Sequence, residues 1–386
     1  MVKVRRSIRA SRLPKRFAQC FLQILSRLRV MHVVVAGDIG GAERLLVDLA
    51  RRPEATGADH QVALITPNRA LARYLVEAGL RVHDRGPARE NPISYLRQAL
   101  GRRDVAWIES LLRDERADIV HTHTFGSHVV GTRAARRANL PQVRTEHHVM
   151  HYFDASSSAF TRWAAARTDR FVAVSEYVRT ILCETAPAVA ERTRVVRNGV
   201  DTEYWSPRPR PTGGFRAGIV CRLTAWKRVA LAVEAAALAG AELTVVGDGE
   251  ERRVLEVLAL KRRARVSFLG HQKDPRPAIA DCDVILSTAD REPLGLSVLE
   301  SLSMGCPVIA FAGGGIPEIV VDGVTGWLVQ ESSATAFAGA IDEARLDRAR
   351  LGVMGVAARR FAQKHGSVDQ MCEGYAATYR ETSRAS

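Results

Sequence analysis

Glu292 and Glu300 lie on either side of a predicted helix start in the run DREPLGLSVLE, residues 290–300. Pro293 suits the first turn of that helix, and Gly305 suits its end. The free N–H groups of a helix N-terminus attract a phosphate, which a carboxylate repels. The two carboxylates are therefore expected to bind hydroxyl groups on either side of a phosphate, the arrangement of a nucleotide sugar. A capped surface helix with two solvated acids is the alternative.

Two cations follow another predicted strand of the second half. Arg222 and Lys227 come just after the apolar run at residues 217–221. A guanidinium binds two phosphate oxygens at once and an ammonium acts as a point charge, so the pair suits a diphosphate. Two solvated loop cations are the alternative.

Glycines and histidines lie at strand ends of the first half. Gly40 and Gly41 follow a predicted strand and open a helix, so they either let the backbone approach a ligand or serve only the tight turn. His121, His123 and His147 end two further strands. We expect a histidine that hydrogen-bonds a sugar and no metal site, because no cysteine or carboxylate completes a conventional zinc ligand set. Packed, satisfied histidines are the alternative.

Apolar runs alternate with helical stretches from Met31 onward, which is typical of parallel α/β sheets. The predicted strands are residues 32–36, 61–66, 118–121, 142–145, 171–174, 194–196, 217–221, 243–246, 266–269, 283–286 and 307–311. Three prolines and two glycines at residues 206–214 predict a linker. The fold class is therefore α/β, with two Rossmann-like domains and a ligand cleft between them.

The positive charge of the chain is concentrated at its start. The 386 residues carry 56 Lys+Arg and 42 Asp+Glu, a net charge of +14, and residues 1–30 hold nine of the basic residues and no acid. Apolar residues recur there at three- and four-residue steps, at Phe17, Phe21, Ile24, Leu25 and Leu28. The arm is therefore predicted to be an amphipathic helix on an anionic membrane surface. A disordered basic tail and a true start at Met31 are the alternatives.

Composition excludes several classes of protein. Aromatic residues make up 6% of the chain, too few for a nucleic-acid stacking platform, so no nucleic acid is expected. The six cysteines are far apart and favour a reducing compartment. No run is long and apolar enough to cross a membrane, and no signal peptide is evident. The predicted location is cytoplasmic, with the arm placing the protein peripherally on the inner face of the cell membrane.

Taken in order, these motifs resemble the retaining GT-B glycosyltransferases of family four, also called group one, over residues 31–379. The runs that carry the resemblance are GGAER at 40–44, DIVHTH at 118–123, VAVSE at 172–176, RNGVD at 197–201, VGDG at 246–249, FLG at 268–270, the pair Glu292 and Glu300, GCPVIA at 305–310, GGIPE at 314–318 and DGVTG at 322–326. The resemblance implies a GT-B fold, with two facing Rossmann-like domains.

The resemblance also implies residue roles in the second domain. Arg222 and Lys227 would hold the donor diphosphate, Glu300 the ribose hydroxyls and Glu292 the donor sugar. The donor phosphates would lie against the start of the helix, at Gly295, Leu296 and Ser297. Leu294 stands where phenylalanine is frequent and Arg228 where glycine is common, which leaves the exact donor contacts open.

In the first domain, the resemblance implies that Gly40 and Gly41 close over the donor. It also implies that His147 takes part in sugar binding and in catalysis. The implied domains are the arm at residues 1–30, an acceptor domain at 31–208, a nucleotide-sugar domain at 209–365 and a C-terminal helix at 366–386 that crosses back to the first domain.

The implied reaction moves a sugar from a nucleoside diphosphate sugar to a hydroxyl of a glycan or lipid-linked acceptor, of the cell-surface polysaccharide or lipopolysaccharide type. Anomeric configuration would be retained without a metal or another cofactor. Domain closure would exclude water from the donor. The alternatives are a nucleotide-sugar epimerase on the same scaffold and a non-catalytic basic protein that binds a membrane surface.

Overall fold

The computed structural model describes residues 27–35, 39–65, 69–86, 100–153, 158–209 and 213–384. Its strands are β1 Leu28–Val35, β2 Ala58–Ile65, β3 Arg81–Asp84, β4 Ile119–Thr122, β5 Gln142–Glu146, β6 Arg170–Ala173, β7 Thr193–Val195, β8 Arg216–Val220, β9 Glu242–Val246, β10 Arg265–Gly270, β11 Val284–Ser287, β12 Val308–Phe311 and β13 Gly326–Val329. Its helices are α1 Gly41–Ala50, α2 Pro53–Thr56, α3 Arg69–Glu77, α4 Arg103–Asp114, α5 Phe125–Ala138, α6 Ser158–Ala165, α7 Glu176–Thr185, α8 Val229–Ala239, α9 Arg252–Arg262, α10 Arg276–Ala280, α11 Leu296–Ser303, α12 Ala334–Leu346, α13 Arg348–His365 and α14 Val368–Arg384.

The strands form two parallel sheets. The first has the order β3-β2-β1-β4-β5-β6-β7 and the second has the order β10-β9-β8-β11-β12-β13. In both sheets the strand order reverses beside the first strand, between β1 and β4 and between β8 and β11. Ligands of such sheets bind outside the carboxyl ends of the strands at these reversals. The two Rossmann-like sheets that the sequence predicts are therefore present. The predicted site residues follow the carboxyl ends of β1, β5, β8 and β11.

All eleven predicted strands are found, with ends shifted by at most four residues. The structure adds β3 and β13, which the sequence analysis missed. Both are short strands at the edges of their sheets, RVHD and GWLV. Their pairing with β2 and β12 is what makes them strands.

The start of the first sheet corrects one expectation. The apolar pattern predicts that Leu28 belongs to an amphipathic helix of the arm, but Leu28 begins β1 and pairs in register with Ala58 of β2. Pairing with β2 buries Val30 in the core of the first sheet, and this burial of an apolar side chain favours a strand here. The rest of the predicted arm helix, and residues 210–212 of the predicted linker, lie outside the described residues. None of the described helices is both long enough and apolar enough to cross a bilayer.

The last helix, α14, packs against the first sheet rather than the second. Its Met371, Tyr375 and Tyr379 share a core with Val30 and Ile119 of β1 and β4. Both tyrosines are fully buried. Their hydroxyls need partners there, because a buried polar group without one costs free energy. The Tyr379 hydroxyl pairs with His121 Nδ1 at 2.8 Å, and the Tyr375 hydroxyl pairs with Thr145 Oγ1 at 2.9 Å.

Tyr379→Phe is expected to lower the free energy of unfolding by about 1–3 kcal/mol. The variant keeps the ring but leaves the buried His121 Nδ1 without the hydroxyl that it contacts. Chemical denaturation followed by circular dichroism measures the loss. Tyr204→Phe is the control, because Tyr204 is exposed. Equal stability of the Tyr379 variant and the wild type would contradict the contribution of this hydrogen bond.

Candidate active site

The helix α11 begins where the sequence predicts. Gly295 precedes it with φ of +97°, a conformation that favours glycine. A Cβ at this position would also lie 2.8 Å from Ile316 Cδ1. This turn puts Glu292 before the helix and the buried Glu300 within it. The two carboxylates therefore lie on either side of the free N–H groups at the start of the helix.

A glycine run from a later loop supports the backbone of Glu292. Gly315 N donates to the Glu292 carbonyl oxygen at 2.7 Å. Gly314 lies so close that a Cβ on it would come within 2.2 Å of the same oxygen. Only glycine permits this approach of two backbones. The GGIPE run, to which the sequence analysis assigned no role, thus positions the Glu292 loop.

Lys227 and Glu292 form a direct ion pair. Lys227 Nζ lies 2.5 Å from Glu292 Oε2, and both side chains are mostly buried. The ammonium also lies 4.1 Å from the centre of the Trp226 ring, and Thr288 Oγ1 donates to the Lys227 carbonyl oxygen. An ammonium has three N–H donors, and Glu292 accepts from one of them. The pair can therefore hold an anion on the lysine and a hydroxyl on the free carboxylate oxygen.

Arg222 lies in the turn that follows β8, five residues before Lys227, and its side chain is exposed. The backbone of this turn is fixed by the VGDG run, since Leu223 N donates to the Asp248 carbonyl oxygen at 2.9 Å. Both predicted diphosphate cations therefore project from one constrained turn at the carboxyl end of β8.

Glu300 is paired with a cation of the first half of the chain. Arg44 Nη1 of α1 lies 2.8 Å from Glu300 Oε1. Burial raises the pKa of Glu300 to about 7, with a further rise from Asp48, while Arg44 opposes the shift. Burial also raises the pKa of Asp48 to about 6. Neither Arg44 nor Asp48 is predicted from the sequence as a site residue, although Arg44 belongs to the GGAER run.

The glycine turn of the first half meets the start of α11. A Cβ on Gly41 would lie 3.1 Å from Leu296 Cδ1. Gly40 N donates to Glu43 Oε2 at 2.8 Å, which holds the turn against its own helix. The structure therefore places Gly40 and Gly41 beside the predicted phosphate-binding helix start. Ser297 is the second residue of that helix.

A second contact joins the two halves of the molecule. Glu318 accepts hydrogen bonds from the backbone N–H groups of Glu176 and Tyr177 at the start of α7, at 3.0 and 2.9 Å. It also pairs with Arg197 Nε at 3.0 Å. A carboxylate is stabilised at a helix N-terminus by the helix dipole. The sequence signal for this contact was the glutamate of the GGIPE run.

His147 follows β5 and is partly buried. Burial lowers its pKa to about 3, and the nearby Arg144 lowers it further, so the ring is neutral at pH 7. Its Nε2 lies 3.5 Å from His123 Nδ1. His121 is instead a packed residue, because Thr145 and Tyr379 occupy its two nitrogens.

Three buried histidines lie close enough together to be considered as metal ligands. The ligand atoms of His32, His121 and His123 are within 4.8 Å of one another. However, His32 Nδ1 and His123 Nε2 are 2.8 Å apart, whereas two nitrogen ligands of a tetrahedral zinc ion are about 3.3 Å apart. This distance is that of a hydrogen bond between the two rings. His32 and His123 are therefore described best as a hydrogen-bonded pair, beside which His121 is bonded to Tyr379 and Thr145.

Both halves of the chain match known family models. Residues 39–204 match the model described as Glycosyltransferase Family 4, and residues 204–361 match the model described as Glycosyl transferases group 1. The two matches meet at residue 204, and together they cover well over half of the chain.

Relatives that match over most of the chain have a lower sequence identity than one that matches over a third of it. Alpha-maltose-1-phosphate synthase of Mycolicibacterium smegmatis is 29% identical over 310 residues, 70% of this chain and 80% of that protein. The D-inositol 3-phosphate glycosyltransferase of Geodermatophilus obscurus is 29% identical over 402 residues, 91% of this chain and 88% of that protein. The lipopolysaccharide core biosynthesis glycosyltransferase LpsE of Rhizobium meliloti is 40% identical over 129 residues, 32% of this chain and 38% of that protein.

Solved structures share the whole architecture. Anabaena HepE in complex with UDP-glucose has a TM-score of 0.79 at 24% identity, over 92% of this chain and 100% of that one. A glycosyltransferase from Rickettsia africae has a TM-score of 0.77 at 21% identity, over 93% of this chain and 100% of that one. These likenesses confirm the predicted GT-B arrangement of two Rossmann-like domains.

Proposed function

Since the chain belongs to the group 1 glycosyltransferases and carries a family 4 domain before its group 1 domain, we propose that it moves a sugar from a nucleoside diphosphate sugar to a hydroxyl of a glycan or glycolipid, with retention of anomeric configuration. The observation that carries the proposal is the Lys227–Glu292 pair at 2.5 Å, next to the start of α11. A cation and a carboxylate in contact match the junction between a phosphate and a sugar in the donor.

The donor would lie across the start of α11. Its diphosphate would contact Arg222, Lys227 and the N–H groups of Leu296 and Ser297, because free N–H groups at a helix start bind phosphate. Its ribose hydroxyls would donate to Glu300, in exchange for the Arg44 contact. These assignments are supported by the cross-domain contacts, which bring both halves of the chain to the same helix.

Catalysis would come from stabilising the departing diphosphate. The bond between the anomeric carbon and the phosphate oxygen breaks, and the acceptor oxygen bonds to the same face of that carbon. The acceptor proton passes to the departing phosphate oxygen. Lys227 and Arg222 would neutralise the charge that grows on this oxygen, which is the kind of interaction that accelerates a reaction. Glu292 and the neutral His147 would orient sugar hydroxyls.

We propose an acceptor of the cell-surface glycan or lipid-linked class, at the inner face of the membrane. The relatives are named for different molecules, namely alpha-maltose-1-phosphate, D-inositol 3-phosphate and the lipopolysaccharide core. The support for a membrane position is the seven basic residues among residues 1–26, which would bind anionic lipid. Arg27 and Arg29 are paired instead with acids of the folded domain.

The proposal is tested with uridine, guanosine and adenosine diphosphate sugars, first by thermal shift and then by turnover. One class of donor should raise the melting temperature of the protein. With that donor, the protein should release nucleoside diphosphate only when an acceptor is added, apart from slow hydrolysis of the donor. The anomeric configuration of the product is then read by NMR. Conversion of the donor without acceptor and without released diphosphate would identify an epimerase. Absence of any nucleotide binding would favour the non-catalytic alternative.

We expect EDTA to leave the turnover unchanged. Arg222, Lys227 and the helix amides supply the positive charge that a divalent ion supplies in other transferases. Initial rates are measured with purified protein before and after dialysis against EDTA. A loss of rate that manganese or magnesium restores would contradict the metal-free proposal. Dialysis against buffer alone is the control.

A further inference from the structure

A continuous chain of histidine rings runs along one face of the first sheet. His147 Nε2 lies 3.5 Å from His123 Nδ1, and His123 Nε2 lies 2.8 Å from His32 Nδ1. His32 Nε2 lies 2.8 Å from His60 Nδ1, and His60 Nε2 lies 2.9 Å from Thr56 Oγ1. Each inner ring therefore contacts a neighbour through both of its nitrogens. This histidine chain connects His147 to Thr56, the last residue of α2.

The rings of this histidine chain are neutral. Burial lowers the pKa of His60 to about 3, and it lowers the pKa values of His32 and His123 well below the ordinary range. A neutral imidazole has one N–H donor and one acceptor nitrogen. Each ring must therefore donate in one direction and accept from the other, so one proton position determines all the others.

Thr56 supplies that proton position. Its hydroxyl has one hydrogen and is surrounded by the carbonyl oxygens of Arg52, Pro53 and Ala58 at 3.2 to 3.4 Å. Carbonyl oxygens only accept, so of these partners only His60 can donate to Thr56 Oγ1. The arrangement with two hydrogen bonds at the hydroxyl is the one in which Thr56 donates to a carbonyl oxygen and accepts from His60 Nε2–H. His60 Nδ1 must then accept from His32.

We infer that Thr56, His60, His32 and His123 are positioning residues that set the tautomer of His147. The same logic continues along the chain, so His123 Nε2–H donates to His32 and His147 Nε2–H donates to His123. The Nδ1 of His147 is then an acceptor, ready for a sugar hydroxyl. The functional meaning of this tautomer rests on the place of His147 in the proposed function, but the tautomer itself does not.

The test is long-range proton–nitrogen NMR of protein with 15N-labelled histidine at pH 7, without substrate. Pyridine-type and pyrrole-type nitrogens are well separated in nitrogen shift, and the His147 signals are assigned by their loss in His147→Gln. The wild type should show a pyridine-type Nδ1 and a pyrrole-type Nε2 on His147.

Thr56→Val should exchange these two signals. Without the hydroxyl, a proton on His60 Nε2 has no acceptor side chain, and a buried N–H without a partner is more costly than an empty lone pair. The proton on His60 therefore moves to Nδ1. In His32, His123 and His147 the proton then moves from Nε2 to Nδ1 as well. If the proposed function holds, kcat/KM should also fall about 10- to 100-fold, because His147 then presents a donor where an acceptor is needed.

Two matched variants complete the test. Thr56→Ser keeps the hydroxyl and should keep the wild-type signals. Thr132→Val removes a buried helical hydroxyl that donates to the His128 carbonyl oxygen outside the histidine chain, and it should change nothing at His147. A wild-type His147 with its proton on Nδ1, or a Thr56→Val spectrum without exchange, would overturn the inference. If Thr56→Val does not fold, the wild-type spectrum alone still tests the predicted tautomer of His147. If the spectra are as predicted but the protein transfers no sugar, the proposed function is rejected and the tautomer inference stands.

Discussion

Lys227→Met is expected to lower kcat by about 10²- to 10³-fold, the effect of removing one preorganised donor from a developing negative charge. Methionine keeps an unbranched apolar side chain of similar length beside Trp226 and Glu292, so the turn after β8 keeps most of its packing. The loss should therefore be in the chemical step. It is measured as the rate of nucleoside diphosphate release at saturating donor and acceptor.

Lys261→Met is the matched control. Lys261 lies in the last turn of α9 and is exposed, so its removal tests the general effect of one lost charge. It should leave kcat within twofold of the wild type. A Lys227→Met enzyme with unchanged kcat and a raised KM would show that Lys227 binds the ground state and the transition state equally, against the proposed role.

Donor affinity is expected to fall about tenfold when the pH is lowered from 8 to 6. The pKa of Glu300 is about 7 in the free protein, and only the ionised carboxylate accepts from both ribose hydroxyls. The ionised fraction falls from about nine-tenths at pH 8 to about one-tenth at pH 6, and the apparent affinity falls with it. Isothermal titration with an intact nucleotide sugar measures this, because its diphosphate does not titrate in that range.

Glu300→Gln separates this carboxyl from other titrating groups. The amide keeps the size of the side chain but carries no charge, so the variant should bind the donor weakly at every pH and show a flat profile between pH 6 and 8. Glu331→Gln, an exposed acid after β13, should keep the wild-type profile. A wild-type profile in the Glu300 variant would assign the titration to another group, and unchanged affinity would reject the ribose assignment.

Local patterns of the chain were enough to predict the two sheets. Most of the eleven predicted strands contain a short apolar run, and such a run is recognisable from its own residues. The helix start at Gly295 was also predicted, because proline and glycine act on the backbone where they stand. The edge strands β3 and β13 were missed, since a neighbouring strand rather than their own sequence makes them extended.

The sequence by itself determined the alternation of strands and helices and the residue types at the strand ends. Only the tertiary structure decided which of those residues meet. Lys227 and Glu292 are 65 residues apart, and Arg44 and Glu300 are 256 apart. The histidine chain likewise joins rings from separate strands of the first sheet. Such contacts depend on strand order, register and domain closure, and these arise from the packing of whole elements rather than from the periodicity within any one of them.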